Sequence, residues 1–322
     1  MTIKLDLKDR KLIHLLDFDA RAPLSRLAKR IGLSKQGTKY KMNRLMRLGV
    51  IKGFVPIINV PKLGYIYCRL SLTLSNITPE KEQEILDYIK HDPRWFWVFT
   101  TQGVYDLLFV MWAKSITEYK EAVLDIFSRF SAYIKYKNES ITTDVVHFQH
   151  RWLLKESRTK EIHIQETPER IEIDDDDKRI LSLLCEDARM SLTDMSRRID
   201  LSPKTIANRI RGMEKNKLIE GYRPDLDHNK LGYTYYKLWI NLNNISKEKM
   251  NRIYQYIKMN PIILYIVKGV GLPEDLDVEI MVKNNQELFD FVSDLRLKFP
   301  EMIGDYRTFM FYETVKIRYL PF

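Results

Sequence analysis

Laid over itself with a shift of 168 residues and no gap, the chain of 322 residues repeats at structurally telling places. Asp9 falls on Asp177, Ala20-Arg21 on Ala188-Arg189, Ile31 on Ile199, and Leu33-Ser34 on Leu201-Ser202. Ile51, Gly53 and Pro56 fall on Ile219, Gly221 and Pro224, and Lys62-Leu63-Gly64-Tyr65 on Lys230-Leu231-Gly232-Tyr233. So many identities in one register mark a duplicated unit, and a duplication restricts the fold to two copies of one architecture. Each copy is itself two-part, because helical periodicity gives way to strand periodicity near residue 64 and again near residue 232.

The first part of each copy reads as three helices and a strand. Asp9 is placed to cap a helix whose stripe is Leu12, Ile13, Leu15 and Leu16, matched by Ile180, Leu181, Leu183 and Leu184. A second helix spans 24–31 or 192–199 and stops at Gly32-Leu33-Ser34 or Asp200-Leu201-Ser202. Ser34 and Ser202 then cap a third helix, and Pro203 suits its first position, where the missing N–H costs nothing. Thr38, Met42 and Leu45, or Ile206, Ile210 and Met213, point inward from it. A short strand follows, 49–54 or 218–222, which is expected to open a two-stranded wing. A helix, a tight turn, a capped basic helix and a wing make a winged helix-turn-helix.

The second part alternates strands and helices: strand 66–74, helix 79–90, strands 95–101 and 106–113, helix 118–130 and strand 142–148. The order recurs at 235–242, 247–258, 262–268, 276–283, 286–299 and 308–312. This is a βαββαβ, ferredoxin-like sandwich with helices on one face of a sheet. Trp95, Trp97, Tyr65 and Tyr67 enrich its strands, so the other face is expected to pair with a second sheet, from the same chain or another. The fold class is α+β, in two tandem units. The expected domains are 1–64, 65–150, a connector 151–170, 171–232 and 233–322.

Charge separates the two copies. Of the net +10, residues 1–64 alone hold +11, whereas 171–232 hold −1. So focused a positive field suits a polyanion such as double-stranded DNA. The second copy opens with Asp174-Asp175-Asp176-Asp177, which repels phosphate unless it lies away from the groove. The expected DNA contacts are Lys35, Gln36, Lys39, Tyr40, Lys41 and Arg44 in the first copy. In the second they are Ser202, Lys204, Thr205, Asn208, Arg209 and Arg211, with Arg209 alternatively bracing its domain through a carboxylate.

The combination of Asp-Ala-Arg at 19–21 and 187–189, Leu-Ala-Lys-Arg-Ile-Gly-Leu-Ser at 27–34, Leu-Ser-Pro-Lys-Thr-Ile-Ala-Asn-Arg-Ile at 201–210, Gly-Val-Ile-Lys-Gly-Phe at 49–54 and Lys-Leu-Gly at 62–64 and 230–232 resembles the Lrp/AsnC (feast-or-famine) regulators of bacteria and archaea. The resemblance covers nearly the whole chain, twice, and an archaeal source is expected. It implies a DNA-binding transcription regulator whose ferredoxin-like part serves oligomerisation and binds an effector. Members of that family usually carry one unit and dimerise, so two units in one chain imply a covalent pseudo-dimer, with homo-oligomerisation open.

The turn before Leu107 resembles the glycine-containing turn near which the family binds amino acids. Gly103 would let a ligand approach, Tyr105 would flank it, and Asp106 could accept an ammonium group. As a plain turn the segment needs only the glycine. The corresponding turn at 267–275 is longer and acidic, which sets the second sandwich apart.

No zinc spacing, phosphate-cradling loop or nucleophile elbow is present, so no enzyme, cofactor or metal is expected. His147 and His150 suit surface or packing roles, and Cys68 and Cys185 suit the core. Two alternatives stand beside the regulator. One is a protein-interaction scaffold in transcription. The other is a tandem enzyme similar to the siroheme decarboxylases, for which His91-Asp92-Pro93 is the nearest candidate site. No segment approaches the length of a membrane span and the start carries no secretory signal, so a cytoplasmic location is expected.

Overall fold

The computed structural model describes residues 2–156 and 160–322. Residues 157–159 of the expected connector lie outside them. The first copy runs α1 (Leu7–Leu16), α2 (Leu24–Ile31), α3 (Lys35–Arg47), β1 (Ile51–Ile58), β2 (Ile66–Leu74), α4 (Pro79–His91), β3 (Trp95–Gln102), β4 (Leu107–Ala113), α5 (Ile116–Phe130) and β5 (Ile134–Phe148). After β6 (Glu161–Gln165) the order returns as α6 (Asp175–Glu186), α7 (Leu192–Ile199), α8 (Pro203–Lys215), β7 (Ile219–Leu226), β8 (Thr234–Leu242), α9 (Lys247–Met259), β9 (Ile263–Val270), β10 (Leu276–Val282), α10 (Asn285–Lys298) and β11 (Ile303–Ile317). No helix among the described residues is long and apolar enough to cross a membrane.

The chain forms two compact units, and like parts of the two copies associate. Residues 1–59, 148–162 and 170–233 make one, and 60–147, 163–169 and 234–322 make the other.

In the first unit, Asp6 rather than Asp9 is the N-cap of α1. The Asp6 carboxylate accepts from Asp9 N–H at 2.8 Å, and the Asp9 carboxylate accepts from Asp6 N–H at 3.1 Å, closing a capping box. Asp174 takes the same place before α6. Each α2-like helix ends in the left-handed region, at Gly32 with φ +66° and at Asp200 with φ +52°.

The expected wing is not a local hairpin. β1 pairs antiparallel with β7, its counterpart in the other copy. Val55 lies opposite Arg223, its own repeat equivalent, while Phe54 faces Pro224 and Pro56 faces Tyr222. A pseudo-twofold axis therefore passes through the ribbon. Around it the Ala-Arg pairs engage reciprocally: Ala20 N–H donates to Tyr222 O and Ala188 N–H to Phe54 O. Arg21 donates to the Ala188 carbonyl and Arg189 to the Ala20 carbonyl. Arg21 also lies over the Tyr222 ring and Arg189 over Phe54.

In the second unit the neighbouring strands run β2-β4-β3-β11-β8-β10-β9-β5, and β5 pairs again with β2, closing a ring of eight. Each half keeps the ferredoxin-like order, and the inner faces pack on one another with Tyr67 and Trp97 against them, whereas Trp95 lies on the helix side. The edges also join, which the sequence did not indicate. β5 and β11 are each 15 residues long, against the short strands expected, and each spends one end in its own sheet and the other on the opposite copy.

On the outside, Cys68, Leu70, Phe109 and Met111 pack against Ile85, Ile89, Ala122 and Ile126 of α4 and α5. On the inside, Tyr105, Leu108 and Val110 meet Trp239 and Phe309.

Four charged side chains share that interior. Arg69 bonds Asp277 at 2.7 Å, and Lys237 contacts Asp277 at 2.8 Å and Glu279 at 2.5 Å. Burial alone would raise the Asp277 carboxyl, but Lys237 and Arg69 outweigh it and hold the group below its ordinary value. Arg69 and Lys237 are repeat equivalents, whereas Leu108 and Val110 stand where the second copy has Asp277 and Glu279. The first half thus contributes a cation whose anion sits on the second.

Candidate nucleic-acid interface

The third helix of each copy is built alike. Ser34 accepts from Gly37 N–H at 3.0 Å and Ser202 from Thr205 N–H at 3.0 Å, and Pro203 opens α8. Thr38, Met42 and Leu45 of α3 are buried, as are Ile206, Ile210 and Met213 of α8. That burial fixes which side chains face outward. A Cβ at Gly37 would meet Ser34 Oγ at 3.2 Å, yet its repeat equivalent Thr205 carries a Cβ and keeps the same cap at 3.0 Å, so the cap does not require the glycine.

The expected DNA contacts then divide. Lys35, Gln36, Lys39 and Tyr40 are exposed, Tyr40 to 64%. Lys41 and Arg44 instead turn back onto α1: Lys41 bonds Asp6 at 2.6 Å and Asp9 at 2.9 Å, and Arg44 bonds Asp9 at 3.2 Å. Asp9 is only 1% exposed, so these contacts brace α3 on α1. Burial works against the Lys41 ammonium, yet hydrogen bonds to Asp6 and Asp9 raise its pKa.

Arg209, the repeat equivalent of Lys41, does the same. It reaches Asp174 at 2.9 Å, Asp177 at 3.0 Å and Asp176 at 3.4 Å, and hydrogen bonds to Asp174 and Asp177 raise its pKa. Its bracing alternative is what the structure shows. Lys204, Asn208 and Arg211 remain outward on α8, with Arg211 donating to Asn208 Oδ1 at 2.5 Å. Ser202 and Thr205 bond each other at 2.8 Å at the helix start.

The acidic run of the second copy is paired locally, its four carboxylates against three cations. Asp174 caps α6, Asp175 pairs with Lys178 at 2.8 Å, Asp176 with Arg179 at 2.5 Å, and Arg209 draws on Asp174, Asp176 and Asp177. Carboxylates in the first turn also suit the helix dipole. The run is therefore a helix start with its own cations rather than an open anionic patch. One exposed cation of α3 was not anticipated, Arg47. Its spacing of four and seven residues from Asn43 and Tyr40 is the signal that would have found it.

In the ring, Gly103 has φ +139°, and a Cβ there would meet Thr308 O at 2.7 Å and Phe309 Cβ at 2.8 Å. The glycine therefore serves close approach of β11. Tyr105 is buried, with its ring 5.4 Å from Trp239. The Asp106 carboxylate accepts from Leu74 N–H at 2.7 Å, and Asp275 accepts from Leu242 N–H at 2.7 Å in the second copy. The side chains of Tyr105 and Asp106 are thus engaged inside the protein, and the backbone of Gly103 lies against β11.

His91 lies beside an open groove of about 890 Å³ with Asp87, Arg94 and Arg129, its Nδ1 2.7 Å from the Asp87 carbonyl. His147 meets the Tyr265 ring edge-on, and the His150 backbone N–H donates to Asp17 at 2.7 Å.

A family model described as the AsnC-type helix-turn-helix domain matches residues 5–46 and 173–214. The HTH-type transcriptional regulator FL11 of Pyrococcus horikoshii is 31% identical over 118 residues, covering 37% of this chain and 77% of that protein. The regulator LrpA of the same organism is 28% identical over 110 residues, covering 34% and 77%. Among solved structures, the siroheme decarboxylase NirDL aligns over 97% of this chain and 93% of its own at a TM-score of 0.62 and 13% identity. That likeness is one of fold, and it spans both copies.

Proposed function

Because the chain belongs to the Lrp/AsnC family of transcription regulators, we propose that it binds double-stranded DNA as a covalent pseudo-dimer, with α3 supplying most of the grip and α8 adding selectivity. The observation that carries this reading is the outward face of α3. Lys35, Lys39 and Arg47 are exposed there beside Gln36 and Tyr40, while the neighbouring cations Lys41 and Arg44 are held by α1. A helix of this width fits a major groove, where lysine neutralises phosphate and amide or aromatic groups meet base edges. The ribbon and the reciprocal arginines hold both reading helices within one compact unit.

Affinity for duplex DNA measured against salt tests the reading. Binding weakens steeply as salt rises, because each phosphate neutralised releases counterion. Reversing Lys35 and Lys39 to Glu costs more affinity than reversing Lys204 and Arg211, and lowers the salt slope by about 2. A protein-interaction scaffold would show little binding at any salt, and an equal or opposite ranking removes the asymmetry.

The fold likeness to a siroheme decarboxylase supports a second reading, an enzyme acting on an iron tetrapyrrole. In this chain the ring interior is filled by Tyr105, Trp239, Phe309 and the buried ion pairs. Titration with an iron uroporphyrin, followed by absorbance, separates the two: the regulator leaves the spectrum unchanged, and a saturable shift would favour the enzyme.

A further inference from the structure

The pseudo-twofold axis relates the scaffolds of the two reading domains but not the side chains they present. The capping serines 34 and 202 are the same residue, and the inward positions are apolar or small in both copies. Outward, no equivalent pair is the same residue, and only Arg47 and Lys215 share a chemistry: Gln36 stands against Lys204, Lys39 against the half-buried Ala207, Tyr40 against Asn208, and Asn43 against Arg211. In a symmetric helix-turn-helix dimer the palindromy of the site mirrors the twofold of the protein. Here the backbone keeps the twofold while the groups that would touch bases have lost it.

The chemistry of the two faces differs in kind. Gln36 can bond an adenine edge, and the ring of Tyr40 offers apolar contact for a thymine methyl, so α3 favours A·T pairs. On α8, Asn208 suits adenine and Arg211 suits guanine, and the 2.5 Å bond between them sets the two side chains as one unit. The geometry points to a non-palindromic binding site made of two unlike half-sites, so that the chain sits on its DNA in a single orientation. This inference rests on the DNA-binding reading above and goes beyond it by specifying the symmetry of the ligand.

The test is in vitro selection with the full chain from a pool of random duplexes, followed by sequencing. From the selected site, two artificial palindromes are made by doubling each half. The native site is expected to bind about tenfold or more tightly than either palindrome, the size of one or two mismatched base pairs. Gln36→Ala and Tyr40→Ala relax base preference in one half only, and Asn208→Ala and Arg211→Ala in the other. A palindrome that binds as tightly as the native site, or variants that relax both halves alike, overturns the inference while leaving DNA binding intact. Selection that enriches no duplex, while the chain still binds duplex DNA in the salt series, overturns this inference alone; no binding in either experiment removes both readings.

Discussion

At the scale of single residues, spacing alone does not separate a cation that faces outward from one that braces a helix. Lys39 and Lys41 are two positions apart on α3, yet one faces outward and the other lies on Asp6 and Asp9. Their difference depends on carboxylates more than thirty positions earlier, which helical periodicity does not reveal. A clue was present in the repeat: the register that pairs Lys41 with Arg209 also pairs Asp6 with Asp174 and Asp9 with Asp177. Glu274 was similarly hidden, a buried carboxylate in a turn read as merely acidic.

Burial, with the charge of Asp277 added, pushes the Glu274 carboxyl to about 8. A carboxyl raised in the folded state binds its proton more tightly there than in the unfolded chain. Its contribution to stability is complete below the ordinary value of 4.5 and is lost as pH rises toward 8. Glu274→Gln is therefore expected to match the parent near pH 4.5 and to exceed it by about 2–3 kcal/mol near pH 8. Urea unfolding at both values checks this, and a difference that does not grow with pH refutes it.

At the scale of elements, helices were the more legible. Their apolar stripes and capping residues, Ser34 and Ser202, are local signals, and α2 has the bounds expected of it, 24–31. The strands of β5 and β11 were read short. The missing portion of β5 carries Lys135, Lys137 and Glu139 on a partly exposed stretch, where no apolar alternation marks a strand. The pairing of β1 with β7 was illegible for a different reason: a strand pattern does not say which strand completes it.

The Ala-Arg motifs hold that ribbon's surroundings in place, each arginine ending on carbonyls of the other copy. Arg21→Ala and Arg189→Ala are each expected to cost about 1.5–3 kcal/mol, the range for hydrogen bonds from charged donors. Denaturant unfolding measures the loss, and effects within about 0.5 kcal/mol, the ordinary range for surface changes, would show the contacts to be incidental.

At the scale of the whole molecule, duplication accounts for both associations, since the ring needs two β5-like strands and the ribbon two β1-like ones. Gln102 lies directly opposite Met310 where β3 meets β11. Facing residues in an antiparallel pair have Cα atoms about 4.5–5.5 Å apart, within the range a disulfide spans. The variant Gln102→Cys with Met310→Cys is expected to oxidise within one chain and to run as a monomer on a denaturing gel without reductant. Disulfide-linked dimers would show instead that halves are exchanged between chains. Burial pushes the thiols of Cys68 and Cys185 up to about 12, which keeps them out of the exchange.

The placement of Arg69 bears on the history open to such a chain. Two first halves brought together would bury two guanidinium groups against Leu108 and Val110, and two second halves would bury a doubled acidic surplus. Unpaired buried charges of this kind cost several kcal/mol, about 3–5 for each broken pair. Once the cation and its counterion had come to lie on different copies, the fusion ceased to be reversible: neither half could go back to life as a self-complementary dimer without rewriting its interior first.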